Sequence, residues 1–178
     1  MKALLVLDMQ NCILNCKEFN DERKNIMELI KMFKRNQEII IFARHVDECD
    51  LESPFYILSE KSKIPIEYER YADYTVKKKT PSMFAGTEVD KILKDNKIEH
   101  LVISGFNTEF CCMFTAIAAY DRGYRVTFVE DATGTVNDED IYEMEGLDIK
   151  DFVGSVLDWS GAVEVLYLEE FKEIYSNL

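Results

Sequence analysis

The sequence predicts a three-layer α/β/α fold around a mostly parallel central sheet, and three observations carry that prediction. Short, β-branched apolar runs alternate with longer stretches of helical period along the chain. The 178 residues are enough for one domain over 1–178 with a sizeable core. With only 7 Gly and 3 Pro, the chain has little of the composition of a disordered linker. Strands separated by helices imply crossover connections, and hence a parallel sheet covered on both faces.

The elements follow in order. Ala3–Leu7 is a short apolar run ending at Asp8, too short for a signal peptide or a membrane span, and reads as the first strand. Asp21–Asn36 carries Ile26, Leu29, Ile30 and Phe33 at i, i+3, i+4, i+7, the stripe of an amphipathic helix. Glu38–Ala43, with three isoleucines and a Phe, is the second strand. Residues 45–72 have no clear period and read as a long loop with local structure, expected to cover a site. Tyr74–Lys79 is a short strand. Thr87-Glu88-Val89-Asp90 resembles a capping box ahead of a helix with Val89, Ile92 and Leu93 on one side. His100–Ser104 is the next strand. Thr108 is then expected to cap a helix running to about Arg122 and stopped by Gly123. Arg125–Val129 and Val163–Leu168 complete the strands, with two helical pieces around Gly146 in residues 137–158.

Composition narrows the function. The net charge of −13 argues against a nucleic-acid partner, which would call for a basic face. With no apolar segment of spanning length, no membrane partner and a cytoplasmic location are expected. Five cysteines without a Cys-x-x-Cys pair fit reduced thiols better than a disulfide framework or a zinc site. No Gly-x-Gly-x-x-Gly or Gly-x-x-x-x-Gly-Lys follows the first strand, so a flavodoxin-like or dinucleotide-binding role has little support. The helix after Thr108 is apolar almost all round (Phe110, Met113, Phe114, Ile117, Ala118, Tyr120), as if covered on more than one side, and a homo-oligomer, dimer or tetramer, is expected.

Candidate chemistry centres on Cys111, in the expected first turn of that helix. Partial positive charge and unpaired N–H groups there favour a thiolate and an oxyanion beside it. Ligands of open α/β sheets bind at the carboxyl ends of the strands. Asp8 follows the first strand and Cys111 follows the strand ending near Ser104, so the two share a crevice if these strands are neighbours. Asp8 is a candidate proton acceptor, and the cluster Lys77-Lys78-Lys79 a candidate source of positive charge.

Four segments bring these residues together. They are Leu5-Val6-Leu7-Asp8-Met9-Gln10, Lys78-Lys79-Thr80-Pro81-Ser82-Met83-Phe84-Ala85-Gly86-Thr87, Val102-Ile103-Ser104-Gly105-Phe106-Asn107-Thr108-Glu109-Phe110-Cys111, and Ala119-Tyr120-Asp121-Arg122-Gly123-Tyr124 with Val129-Glu130-Asp131-Ala132. In order and approximate spacing they resemble the isochorismatase-like cysteine hydrolase superfamily, related to nicotinamidase and N-carbamoylsarcosine amidase. The resemblance covers residues 3–133 well and the last 45 weakly. It implies a Rossmann-like architecture and a triad of Asp8, Lys78 and Cys111, with Lys78 singled out by its spacing from Ser82. It also implies a cis peptide at Phe106–Asn107, an oxyanion hole from the Asn107 and Cys111 backbone N–H groups, and a pocket with Gln10, Phe84 and His45. The expected substrate is a small amide or carbamoyl compound cleaved through a thioester. Retention of Cys111 sets the chain apart from true isochorismatases. Nicotinamidases of the superfamily bind metal through Asp-x-His, whereas His45-x-Asp47 has the reverse order. No metal and no cofactor are therefore expected. The alternatives are a metal-dependent nicotinamidase and a non-catalytic binding or assembly protein on the same scaffold.

Overall fold

The computed structural model describes residues 1–175. Six strands, β1 (Lys2–Leu7), β2 (Ile39–His45), β3 (Tyr74–Lys78), β4 (His100–Phe106), β5 (Arg125–Gly134) and β6 (Glu164–Leu166), form one sheet in the order β3-β2-β1-β4-β5-β6. Every neighbouring pair is parallel. The central strand β1 is apolar throughout because both of its faces are covered. Leu4 and Val6 point into one core layer, while Ala3, Leu5 and Leu7 point into the other.

The helices divide between these layers. On one face, α2 (Asn20–Arg35) buries Ile26, Leu29, Ile30 and Phe33, the stripe expected from the sequence. It also has Asp21 and Glu22 in its first turn and Lys34 and Arg35 in its last, which complements its dipole. The other face is covered by α4 (Val89–Asp95), α5 (Met113–Tyr120) and α6 (Ile149–Trp159). Two single-turn helices, α1 (Asn11–Leu14) and α3 (Ile66–Glu69), and a 3₁₀ turn at Glu60–Ser62 lie in the connections.

Several local expectations are corrected. Helix α4 begins at Val89 without a capping box: the Thr87 hydroxyl donates to the Met83 carbonyl and accepts from Val89 N–H. Thr108 is no cap either, since its buried hydroxyl donates to Thr133 at 3.0 Å. The helix expected from Thr108 to Arg122 is a π-helical turn, Thr108–Cys112, followed by α5, which ends at Tyr120. Of the two helical pieces expected in 137–158, only the second forms, as α6, with the Asp148 carboxylate accepting from Lys150 and Asp151 N–H. The final strand stops at Leu166. A short helix α7 (Leu168–Tyr175) follows it, burying Leu168, Phe171 and Tyr175 against α2, β4 and β5.

Candidate active site

The sheet order reverses direction between β1 and β4, which pair directly in parallel register, Lys2 with His100 through Leu7 with Gly105. This is the switch point at which open α/β sheets bind ligands. Asp8 leaves β1 here with φ 46°, a left-handed conformation that is uncommon for a non-glycine residue and clusters at functional sites. Across from it, Gly105 lies at a register shift in β4 with φ +113°, and a Cβ there would sit 2.2 Å from the Leu7 carbonyl oxygen. Only glycine allows β4 to close on the end of β1. The chain then passes the cis peptide Phe106–Asn107 and enters the π-helical turn bearing Cys111. The Asn107 carbonyl accepts from both Phe110 and Cys112 N–H, at 3.2 and 3.1 Å.

Lys78 ends β3, two strands away from β1. Neighbouring strands are about 4.8 Å apart, so only a long side chain can cross the end of β2 to reach Asp8. Its buried Nζ lies 2.6 Å from Asp8 Oδ2 and donates to Cys111 Sγ at 3.2 Å and the Thr80 carbonyl at 3.2 Å. The fourth neighbour, His45 Nδ1, is 3.3 Å away. An ammonium has no lone pair, so Nδ1 must be the acceptor and the neutral ring carries its proton on Nε2. Burial first, and Lys78 second, hold the His45 pKa below its ordinary value.

The electrostatics differ from those of a generic thiol at a helix start. Burial, reinforced by the Asp8 charge, pushes the Cys111 pKa up to about 12, outweighing the help from Lys78. The resting thiol is therefore protonated. Burial opposes the charge on Lys78, but Asp8 and Cys111 beside it keep its pKa above the ordinary lysine value. Asp8 Oδ1, buried, has no hydrogen-bond partner among the described residues.

The three residues proposed for a pocket have different fates. His45 lines a cavity of about 280 Å³ with Asp47, Glu48, Ser53, Phe55 and Lys79, its ring 4.9 Å from that of Phe55, and none of Asp8, Lys78 and Cys111 lines it. Gln10 does not face that cavity. Its amide donates to the carbonyls of His45 (3.0 Å) and Ser62 (2.6 Å) and accepts from His45 N–H (2.9 Å), tying β1, β2 and the 45–72 loop together. Phe84 is a core residue, its ring 6.1 Å from that of Tyr124 and beneath the Arg122 guanidinium. Sequence reasoning missed Arg44, which anchors the same loop through the carbonyls of Ile57 and Ser62 and the Ser62 hydroxyl. An Arg directly after the apolar run Ile39–Ala43 was the available signal.

Metal fit can be tested on the donors. Asp8, His45 and Cys111 offer ligand atoms within 4.8 Å of one another. All three, however, converge on the Lys78 ammonium, which occupies the position a cation would need. The set does not fit a resident metal, and no chemical step is routed through one.

Fold and site together define a class, parallel α/β proteins with a half-buried thiol at the switch point of the sheet. Within it, the chain belongs to the isochorismatase family: the Isochorismatase domain matches residues 2–160, and the protein is a hydrolase of that family. Among its relatives, an uncharacterized isochorismatase family protein, PncA, of Bacillus subtilis is 33% identical over 163 residues, covering 78% of this chain and 88% of that protein. Nicotinamidase 3 of Arabidopsis thaliana is 29% identical over 154 residues, covering 77% and 75%. A crystal structure of an isochorismatase-like hydrolase from Alkaliphilus metalliredigens shares the fold, with TM-score 0.80, 22% identity and 98% coverage of both chains. No helix among the described residues is long and apolar enough to cross a membrane.

Proposed function

We propose that the protein is a metal-independent cysteine hydrolase that cleaves a small amide or carbamoyl compound through a thioester, with Asp8, Lys78 and Cys111 as its triad. The observation that carries this reading is the convergence of the Asp8 carboxylate and the Cys111 thiol on the buried Lys78 ammonium at the switch point of the sheet. A thiol with so high a pKa needs a base at the moment of attack, and the Asp8 carboxylate is within reach.

In this mechanism Asp8 takes the Cys111 proton as sulfur attacks the amide carbonyl, and Lys78 balances the negative charge left by the transfer. The carbonyl oxygen becomes an oxyanion held by the Asn107 and Cys111 backbone N–H groups. Collapse breaks the C–N bond, and the leaving amine or ammonia receives the proton from Asp8. Asp8 then deprotonates a water that attacks the thioester, and the proton returns to sulfur as the acid departs. The family members named nicotinamidase make nicotinamide the first amide to try.

The test is a screen of small amides for ammonia release, with and without a chelator. Turnover that survives chelation and is lost in Cys111→Ala is expected. Loss on chelation, restored by added metal, would instead favour the metal-dependent nicotinamidase reading. An active Cys111→Ala protein would refute the thioester route.

A further inference from the structure

The turn that carries Cys111 also holds a buried carboxylate that the proposed chemistry does not use. Glu109, only 8% exposed, lies two residues before Cys111 in that turn. Successive side chains on a helical turn are about 100° apart, so the two leave it in roughly opposite directions. Glu109 Oε1 accepts from Asn137 Nδ2 at 2.7 Å, the Thr135 hydroxyl at 2.8 Å and the Tyr142 hydroxyl at 3.1 Å. Glu109 Oε2 is buried without a partner among the described residues. Its neighbours in the chain bind the same stretch: Asn107 Oδ1 accepts from Val136 N–H at 3.2 Å, and the Thr108 hydroxyl donates to Thr133. All these partners lie at the end of β5 or in the connection from β5 to α6, which has no helix or strand of its own.

We propose that Glu109 is a positioning residue: through the three hydrogen bonds it accepts from the β5–α6 connection, it holds the turn so that the Cys111 thiol stays against Lys78. The effect on turnover rests on the thioester chemistry proposed above. A carboxylate buried this deeply is costly unless it is hydrogen-bonded, and an apolar side chain would fill the same space without that cost. Apolar contacts are non-directional, whereas a network of hydrogen bonds fixes one geometry. The thiol needs one geometry, because Cys111 Sγ accepts from Lys78 at 3.2 Å and lies within 4.8 Å of an Asp8 oxygen. Displacing a reacting group by about 1 Å can cost about 100-fold in rate. All three donors meet Oε1 and none meets Oε2, so the requirement is for one acceptor oxygen, which an amide also supplies.

Two readouts on Glu109→Ala and Glu109→Gln of the full chain test it. The first is steady-state kinetics on an amide found in the ammonia-release screen. Glu109→Ala is expected to lower kcat about 100-fold with KM within about threefold, and Glu109→Gln to restore kcat to within about fivefold of wild type. The second is the rate of iodoacetamide labelling at Cys111 against pH, located by tandem mass spectrometry. Burial is what chiefly keeps this thiol protonated, so a loosened turn in Glu109→Ala is expected to label about tenfold faster at pH 8 even as turnover falls. If Glu109→Ala does not fold, Asn137→Ala and Tyr142→Phe each remove one donor from a half-buried position and are expected to move both readouts the same way by about threefold. Folded Glu109→Ala with wild-type kcat and wild-type labelling overturns the inference, as does Glu109→Gln impaired as deeply as Glu109→Ala. An active Cys111→Ala protein refutes the thioester reading instead. Labelling alone then decides the role of Glu109, and an unchanged rate in Glu109→Ala overturns it.

Discussion

The two ends of the parallel sheet each hold a buried cluster of titratable groups, and they are built on opposite terms. At the carboxyl ends of β1, β3 and β4, the Lys78 ammonium is shared among Asp8, Cys111, His45 and the Thr80 carbonyl, while Asp8 Oδ1 has no partner among the described residues. At the amino ends, His100 Nε2 lies 2.8 Å from Thr127, and Thr127, Tyr175 and Arg125 all donate to the Glu164 carboxylate. Burial there holds the His100 pKa down to about 4, so the imidazole is neutral in the folded protein. The difference teaches how to tell reactive from structural polarity. In the cluster at the amino ends, three donors share one carboxylate. The other keeps a carboxylate oxygen without a partner among the described residues, and a protonated thiol.

The comparison breaks most visibly at sulfur. Cys111→Ala is expected to lower turnover by roughly 10⁴-fold or more, equivalent to about 5.5 kcal/mol, while unfolding free energy changes by about 1 kcal/mol or less. Steady-state kinetics and urea denaturation on one preparation measure both. Next comes Asp8→Asn, which leaves a buried ammonium without its counter-ion and is expected to destabilise by about 3–5 kcal/mol as well as to abolish activity. Adding Lys78→Met should return most of the stability and none of the turnover. Recovery of activity in that double variant would show that the pair serves packing alone.

The opposite end sharpens the comparison through pH. An unfolded His100 takes up a proton near pH 6.5, whereas the folded one resists until about pH 4. The unfolded state therefore binds more protons in that window, and this contribution to stability is present above pH 6.5 and lost as pH falls toward 4. The loss is about 2–3 kcal/mol from a depression of this size. Denaturation of the wild type and His100→Gln at a series of pH values should show a shallower acid slope in the variant, and equal slopes would contradict the assignment. The smallest effect is expected for Tyr175→Phe, which removes one hydrogen bond to Glu164 for about 1 kcal/mol. Its kcat should match the wild type, and a changed kcat would erase the distinction between the two clusters.

Much of this molecule was legible before any coordinates. Alternating apolar runs give away β1, β2, β4 and the stripe of α2 because burial on both faces of a parallel sheet demands unbroken hydrophobic strands. Asp8 just past β1 and Cys111 in the turn after β4 were likewise readable from local pattern, whereas only the family resemblance separated Lys78 from Lys77 and Lys79. Short elements were less legible. Helix α7 is two turns long, and its pattern of Leu168, Phe171 and Tyr175 ran on from residues read as strand. Thr108 has the residue type of a cap, yet a neighbouring threonine on β5 claims its hydroxyl.

Side-chain chemistry was decided later still. Residue type makes Cys111 a nucleophile candidate, but its protonation depends on burial and on a carboxylate 103 positions earlier in the chain. Gln10 and Phe84 belong to motifs around the site, yet one is consumed in bracing a loop and the other in the core. Local pattern reports periodicity and propensity, which act over a few residues and specify strands, helices and the ends where reactive groups sit. Hydrogen-bond partners, desolvation and the fields of distant charges act through space. For this protein they decided that Lys78 lies between Asp8 and Cys111, that His45 lies against Lys78 while lining a cavity, and that His100 is held neutral at the opposite end of the sheet.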